Sequence, residues 1–252
     1  MSKISYDDFR RLLIDTDVPD SEIAEYVIVS TKESGAWDPI LMPNPKTVKM
    51  TPEELEMENA MKFGNQMSRW RRQRKFTKRK KKGDKTPVLV SEGDSWFQFP
   101  ILIEDVIDHL GKDFLIWSTG AAGDTAKNMV LGPAAPEKTE YIQALNKNKN
   151  DVKAFLFSGA GNDVIGEDET GTPVLQGLLK NFNGTNDAHA HINFAAFGQR
   201  LAFLENAYKS VVHNIRSQSG FDTLPIIIHG YDYVIPGSKK DQRNPIYAKP
   251  DQ

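Results

Sequence analysis

Four short apolar runs, each followed directly by a small or polar motif, constrain this chain more than any other feature. They are Pro87-Val88-Leu89-Val90, Phe114-Leu115-Ile116-Trp117, Val152 to Phe157, and Leu224-Pro225-Ile226-Ile227-Ile228. Between them, Phe97 to Leu110, Pro136 to Leu145, Pro173 to Phe182 and about Ala188 to Ser217 carry helical patterning. A strand that is apolar at every residue is buried on both faces, and alternation with helices is the pattern of a parallel sheet with crossover connections. The expectation is an α/β fold whose mainly parallel sheet is doubly wound. With 252 residues, 39% of them hydrophobic, the chain can build one substantial domain and an appendage.

The appendage lies at the N-terminus. Phe9, Leu12 and Leu13 fall at helical spacing, and Pro19-Asp20-Ser21-Glu22 offers capping chemistry for a second short helix carrying Ile23, Tyr26 and Val27. Gly35 to Pro45 reads as an irregular connector. Thr51-Pro52-Glu53-Glu54 is a capping box with proline at the first helical position, opening a helix to about Lys81 that Gly83-Asp84 stops. Residues 1–50 therefore read as a small helical adaptor, 51–84 as a linker helix and 85–252 as the α/β domain. The linker concentrates charge: ten of the chain's 32 Lys and Arg fall between Arg69 and Lys82, while all 34 Asp and Glu lie elsewhere. Such a block suits nucleic acid or an anionic membrane, the chain's own acidic remainder, or plain solvation.

The chain contains no cysteine, which excludes disulfides, thiolate metal sites and a cysteine nucleophile. Its opening residues are polar, and no run approaches the roughly 18–20 apolar residues of a membrane span, so a cytoplasmic protein is expected.

The motifs after the four runs are Ser91-Glu92-Gly93-Asp94-Ser95-Trp96, Ser118 to Thr125, Ser158-Gly159-Ala160-Gly161-Asn162-Asp163, and His229-Gly230-Tyr231-Asp232-Tyr233. In an open parallel sheet the carboxyl ends of the strands form one edge, where ligands bind. All four motifs should therefore meet. Ser95 sits at a strand-to-helix turn with its hydroxyl free to stand exposed. Its own N–H, an unobstructed N–H at Gly123 and the Asn162 amide together would form a three-donor oxyanion hole.

Val90 to Trp96 resembles the first block of the SGNH/GDSL-type serine hydrolases, with tryptophan where many members have leucine. Gly120 to Thr125 resembles the second, and Gly161-Asn162-Asp163 the third, with Ala160 at a position usually held by glycine. The match covers roughly residues 85–235. The resemblance implies a flavodoxin-like sheet, Ser95 as nucleophile, and Gly123 and Asn162 as oxyanion donors. The family's last block, Asp-x-x-His, supplies acid and base. It does not occur in this chain.

The expected function is hydrolysis of a carboxylic ester, in an acyl lipid or an acetyl ester, through a Ser95 acyl-enzyme. The base would come from a missing or separate C-terminal segment completing an α/β domain that is incomplete at its C-terminus. His229 is the one internal candidate for a base, although a hydrogen-bonded pocket-wall role also fits it. No metal or organic cofactor is implied, and His189 and His191 do not share a helical face. The N-terminal helices would dock a protein partner. Two alternatives stay open: an inactive binding module on the same scaffold, and an adaptor using Arg69 to Lys82. Phe194, Phe197, Leu201 and Leu204 are expected to cover the sheet as core residues.

Overall fold

The computed structural model describes residues 3–30, 40–52, 54, 63–168 and 170–231. β1 (Ile4–Ser5) leads into α1 (Tyr6–Ile14), whose first turn is capped by the Ser5 side chain accepting the Asp8 N–H. α2 (Asp20–Ile23), β2 (Val27–Val29), β3 (Leu41–Pro43) and β4 (Val48–Lys49) follow. β1 pairs with β4 and β2 with β3, so the segment read as a helical adaptor is mixed. Strands of two or three residues are too short for an alternation to register. Asp20 does not cap α2, which Pro19 precedes with no side-chain cap; its carboxylate receives Arg71 and Lys75 instead. The small core here centres on Phe9, Leu13, Ile23 and Leu41, and it includes Ile101 with Met67 packed against it. The N-terminal segment is thus built onto the rest of the chain.

The capping box forms: the Thr51 N–H donates to Glu54 Oε2 at 2.8 Å and the Glu54 N–H to Thr51 Oγ1 at 3.2 Å. Part of the expected helix, residues 55–62, lies outside the described residues. α3 (Phe63–Lys81) ends in a Schellman turn, with Asp84 N–H on the Arg79 carbonyl, Gly83 N–H on the Lys80 carbonyl, and Gly83 at φ 81°. The basic block lies on and just beyond this helix, and most of it docks on the chain's own acceptors. Arg71 is fully buried and donates to the Leu13, Asp15 and Val18 carbonyls and to Asp20. Arg72 pairs with Asp105 and Asp108, Lys78 with Asp17, Arg79 with Asp84, and Lys80 with Asp151.

Beyond α3 the fold is mixed α/β around one parallel sheet. β5 (Val88–Gly93), β6 (Leu115–Ser118), β7 (Val152–Ser158) and β8 (Ile226–Ile228) lie in the order β6-β5-β7-β8, every pairing parallel. α4 (Val106–Leu110), α5 (Glu140–Lys147), α6 (Gly161–Ile165), α7 (Val174–Leu178) and α8 (Phe194–Arg216) complete it. Alternate strand residues enter two cores. Val90, Trp117 and Phe157 join Leu145 and Val211 on one face, while Leu89, Ile116 and Leu156 join Ile107 on the other. This two-sided burial is why the runs read as continuously apolar.

Two helical expectations need correction. The segment Phe97 to Leu110 is helical only from Val106, because Ile101 sits at φ 61° after Pro100. Asp105 then caps α4 in a capping box with Asp108. The second correction concerns α8. Phe194, Phe197 and Leu201 are 57%, 37% and 50% exposed, and the helix buries Ala207, Val211, Asn214 and Ile215 instead. Length explains this. A helix of 23 residues runs about 35 Å, whereas the longest strand, of seven residues, spans about 23 Å. Tyr208 donates to the Gly159 carbonyl just past the end of β7, so the residues before it overhang the sheet edge.

Candidate functional site

Adjacent parallel strands with aligned ends bring the polar motifs together. Ser91 pairs with Ser118 and Gly93 with Ser158. Past the strand ends, Asp94 N–H donates to the Ser158 carbonyl at 3.1 Å and Ala121 N–H to the Gly93 carbonyl at 2.9 Å. The closeness has a steric requirement: a Cβ on Gly120 would lie 2.6 Å from the Gly93 carbonyl oxygen. Only glycine lets the loop after β6 cross the end of β5 there.

Ser95 stands on the turn after β5, half-buried. Among the described residues neither its hydroxyl nor its N–H has a hydrogen-bond partner. The neighbouring Asp94 is the hub of the edge. Its carboxylate accepts from the Trp96 N–H at 3.1 Å, from Ser158 Oγ at 3.2 Å and from the Tyr231 hydroxyl. Burial pushes the Asp94 carboxyl above the usual range, against these three donors, which favour its charged form. Burial and the Asp94 charge push the Tyr231 hydroxyl up as well, so it stays a donor at neutral pH.

Gly123 has φ 85°, a left-handed conformation that glycine adopts without strain, and its N–H has no partner among the described residues. Asn162 is buried at the start of α6, and one hydrogen of its amide goes to the Asp124 carbonyl at 2.7 Å. The expected second and third oxyanion donors are therefore neighbours, on the loop after β6 and at the start of α6 after β7, whose strands flank β5. Ala160 holds φ 106°, a conformation that strains any residue with a Cβ. Asp163 accepts from the Ala126 and Lys127 N–H groups and so ties the two loops together; burial pushes its carboxyl up.

His229 reaches the same edge, beside Trp96 and Phe97, with ring centroids at 5.4 and 5.7 Å. Its Nδ1 lies 3.2 Å from Ser158 Oγ. Among the described residues it makes no hydrogen bond to Ser95. Asp232 and Tyr233 of the fourth motif lie outside the described residues. His191 meets the Thr185 carbonyl through Nε2 and His189 stacks on Phe194; no group of metal-binding side chains occurs among the described residues. No helix there is long and apolar enough to cross a membrane.

Three features escaped the sequence reading. Ser158 and Tyr231 were part of the motifs, but no spacing connects them to Asp94. Glu92 is 2% exposed, with Oε2 at 2.9 Å from Thr119 Oγ1 and Oε1 accepting the Gly93 N–H at 3.0 Å. Burial first, and then the Asp124 charge, push its carboxyl up to about 8. Glu92 falls in the polar motif just after the Pro87 to Val90 run, so its closeness to that run was the available signal. The third is Asn65 on α3, whose amide holds both the N–H and the carbonyl of Ala122, each at 2.9 Å.

The four strand ends thus carry a serine whose hydroxyl is free among the described residues, N–H groups at Ser95 and Gly123 that are unpaired among them, and a buried amide, around a hydrogen-bonded Asp94 hub. Comparison of the chain with protein-family models, with curated proteins and with solved structures finds no match.

Proposed function

We propose that the protein is a serine hydrolase of SGNH/GDSL type, on a doubly wound sheet, acting on carboxylic esters. The observation that carries this reading is that Ser95, Gly123 and Asn162 follow three neighbouring strands, β5, β6 and β7, at the same edge of the sheet, with the Ser95 hydroxyl and the Ser95 and Gly123 N–H groups unpaired among the described residues and one Asn162 amide hydrogen left over. Ser95 Oγ would attack the ester carbonyl. The N–H groups of Ser95 and Gly123 and the remaining Asn162 amide hydrogen would take up the charge on the tetrahedral oxygen, a contribution on the order of 10²–10³ in rate per donor. An acyl-enzyme and its hydrolysis complete the cycle, and no cofactor enters it.

The general base is assigned to a segment that adds to the open side of β8. Among the described residues that strand pairs only with β7, and its Ile227 and Ile228 are 54% and 45% exposed. His229 is the internal alternative; its Nδ1 contact with Ser158 favours a wall role. The same contact supports the second reading, a binding module that keeps the oxyanion donors and lacks a base. An adaptor role for the basic block has less support, since its arginines are largely spent within the chain.

Labelling with a fluorophosphonate probe, with Ser95→Ala as control, tests the assignment. Hydrolase chemistry predicts labelling that the substitution abolishes, after which His229→Ala separates an internal base from an added one. A folded chain that never labels is the result expected of the binding module, and it would end the claim that this chain is catalytic by itself.

A further inference from the structure

α3 carries a stripe of three polar side chains, Asn65, Arg69 and Gln73, and all three hold the backbone of the loop that leads from β6 to Gly123. Asn65 makes two hydrogen bonds to Ala122 at 2.9 Å. Arg69 donates to the Gly120 carbonyl from Nε at 3.3 Å and Nη2 at 3.2 Å, its guanidinium held in place by Glu140 at 2.8 Å. Gln73 donates to the Ser118 carbonyl at 3.0 Å. The register has a physical basis. Four helical residues rise about 6 Å, close to the roughly 6.6 Å that two residues of extended chain cover. Steps of four along the helix therefore meet steps of two along an extended segment running the other way. The match repeats from 65 and 122 through 69 and 120 to 73 and 118.

The opposite side of the helix is anchored as firmly. Met67 packs into the N-terminal core, and Arg71 satisfies three carbonyls and Asp20 of that region. The loop thus hangs from a helix that is itself fixed by the N-terminal segment. Ala122 is adjacent to Gly123, whose left-handed backbone places the N–H read as an oxyanion donor.

We propose that Asn65, supported by Arg69 and Gln73, is a positioning residue that fixes the Gly123 N–H for oxyanion binding, making the N-terminal segment part of the catalytic machinery. This rests on the hydrolase reading. Replacing Asn65 by leucine removes both bonds to Ala122 at similar size, and the loop should then sample other Gly123 orientations.

Two measurements on the full chain test this together. Amide hydrogen exchange over residues 119–124 should accelerate on the order of tenfold in Asn65→Leu, with exchange in β5 and β7 unchanged. The maximal rate of Ser95 labelling should fall by a similar factor while the concentration giving half that rate stays constant. Gln73→Leu, at the far end of the stripe, should show a weaker form of both effects and serves if Asn65→Leu does not fold. Unchanged exchange in the loop overturns the grip. A loosened loop with an unchanged labelling rate reduces it to a structural contact and overturns the positioning role. A wild-type chain that never labels removes the hydrolase reading, and the positioning role with it, whatever the exchange reports.

Discussion

Glu92→Gln should stabilise the protein, increasingly so as pH rises. Glu92 is buried in the sheet, where burial and the nearby Asp124 raise its carboxyl from the ordinary 4.5 to about 8. The hydrogen-bonding groups around it can also accommodate the neutral acid. Thr119 Oγ1 lies 3.0 Å from the Ser91 carbonyl and 2.9 Å from Glu92 Oε2, and it has only one hydrogen to give. If that hydrogen goes to Ser91, a protonated Glu92 can donate to Thr119 while still accepting the Gly93 N–H. Because the folded state holds the proton more tightly than the unfolded chain, stability falls as pH rises from about 4.5 to about 8 and levels off above that. At about 1.4 kcal/mol per pH unit, the cost is under about 1 kcal/mol at pH 5, about 3 at pH 7 and approaches about 5 above pH 8. Glutamine reproduces the neutral acid, with its NH₂ on Thr119 and its carbonyl oxygen on Gly93, and it carries no proton to lose. Urea unfolding of both proteins at pH 5, 6, 7 and 8 isolates the effect, because titrating groups that do not interact with Glu92 cancel in the difference. The variant should be nearly equal to the wild type at pH 5 and about 3 kcal/mol more stable at pH 7. A difference that does not change with pH would refute the reasoning, and a variant less stable at pH 8 would do so more sharply.

Arg71→Met should cost about 3–5 kcal/mol in urea unfolding, since it strips the donors from one buried and two part-buried carbonyls around a fully buried guanidinium and leaves Asp20 with Lys75 alone. A loss under about 1 kcal/mol would mean that those carbonyls find water instead. Ala160→Gly should stabilise by about 1 kcal/mol by relieving the φ of 106°, even after the added freedom of the unfolded chain is subtracted. A lower melting temperature for that variant would show that the Ala160 methyl packs well enough to outweigh its strain.

The parts legible in the sequence depend on neighbours along the chain. Continuous apolar runs identified all four strands of the main sheet: in β5, β6 and β7 burial on both faces leaves no polar alternation, while β8 is apolar although Ile227 and Ile228 stand exposed. The Thr51–Glu54 capping box and the stop at Gly83 were readable because both are local hydrogen-bond motifs. Placing Ser95, Gly123 and Asn162 at strand ends followed from the same runs, since parallel strands put their carboxyl ends on one edge. Spacing alone misplaced Phe194, Phe197 and Leu201. A helical stripe marks an apolar face, but whether a sheet lies beneath it depends on how far the helix outruns its strands. The basic block was ambiguous for a similar reason: charge in sequence does not say where the partner carboxylates fold. The hold of Asn65 on Ala122, 57 positions away, and of Asp94 on Tyr231, 137 positions away, were decided by the tertiary structure alone. Hydrogen bonds between distant segments leave no periodic trace in the residues that make them.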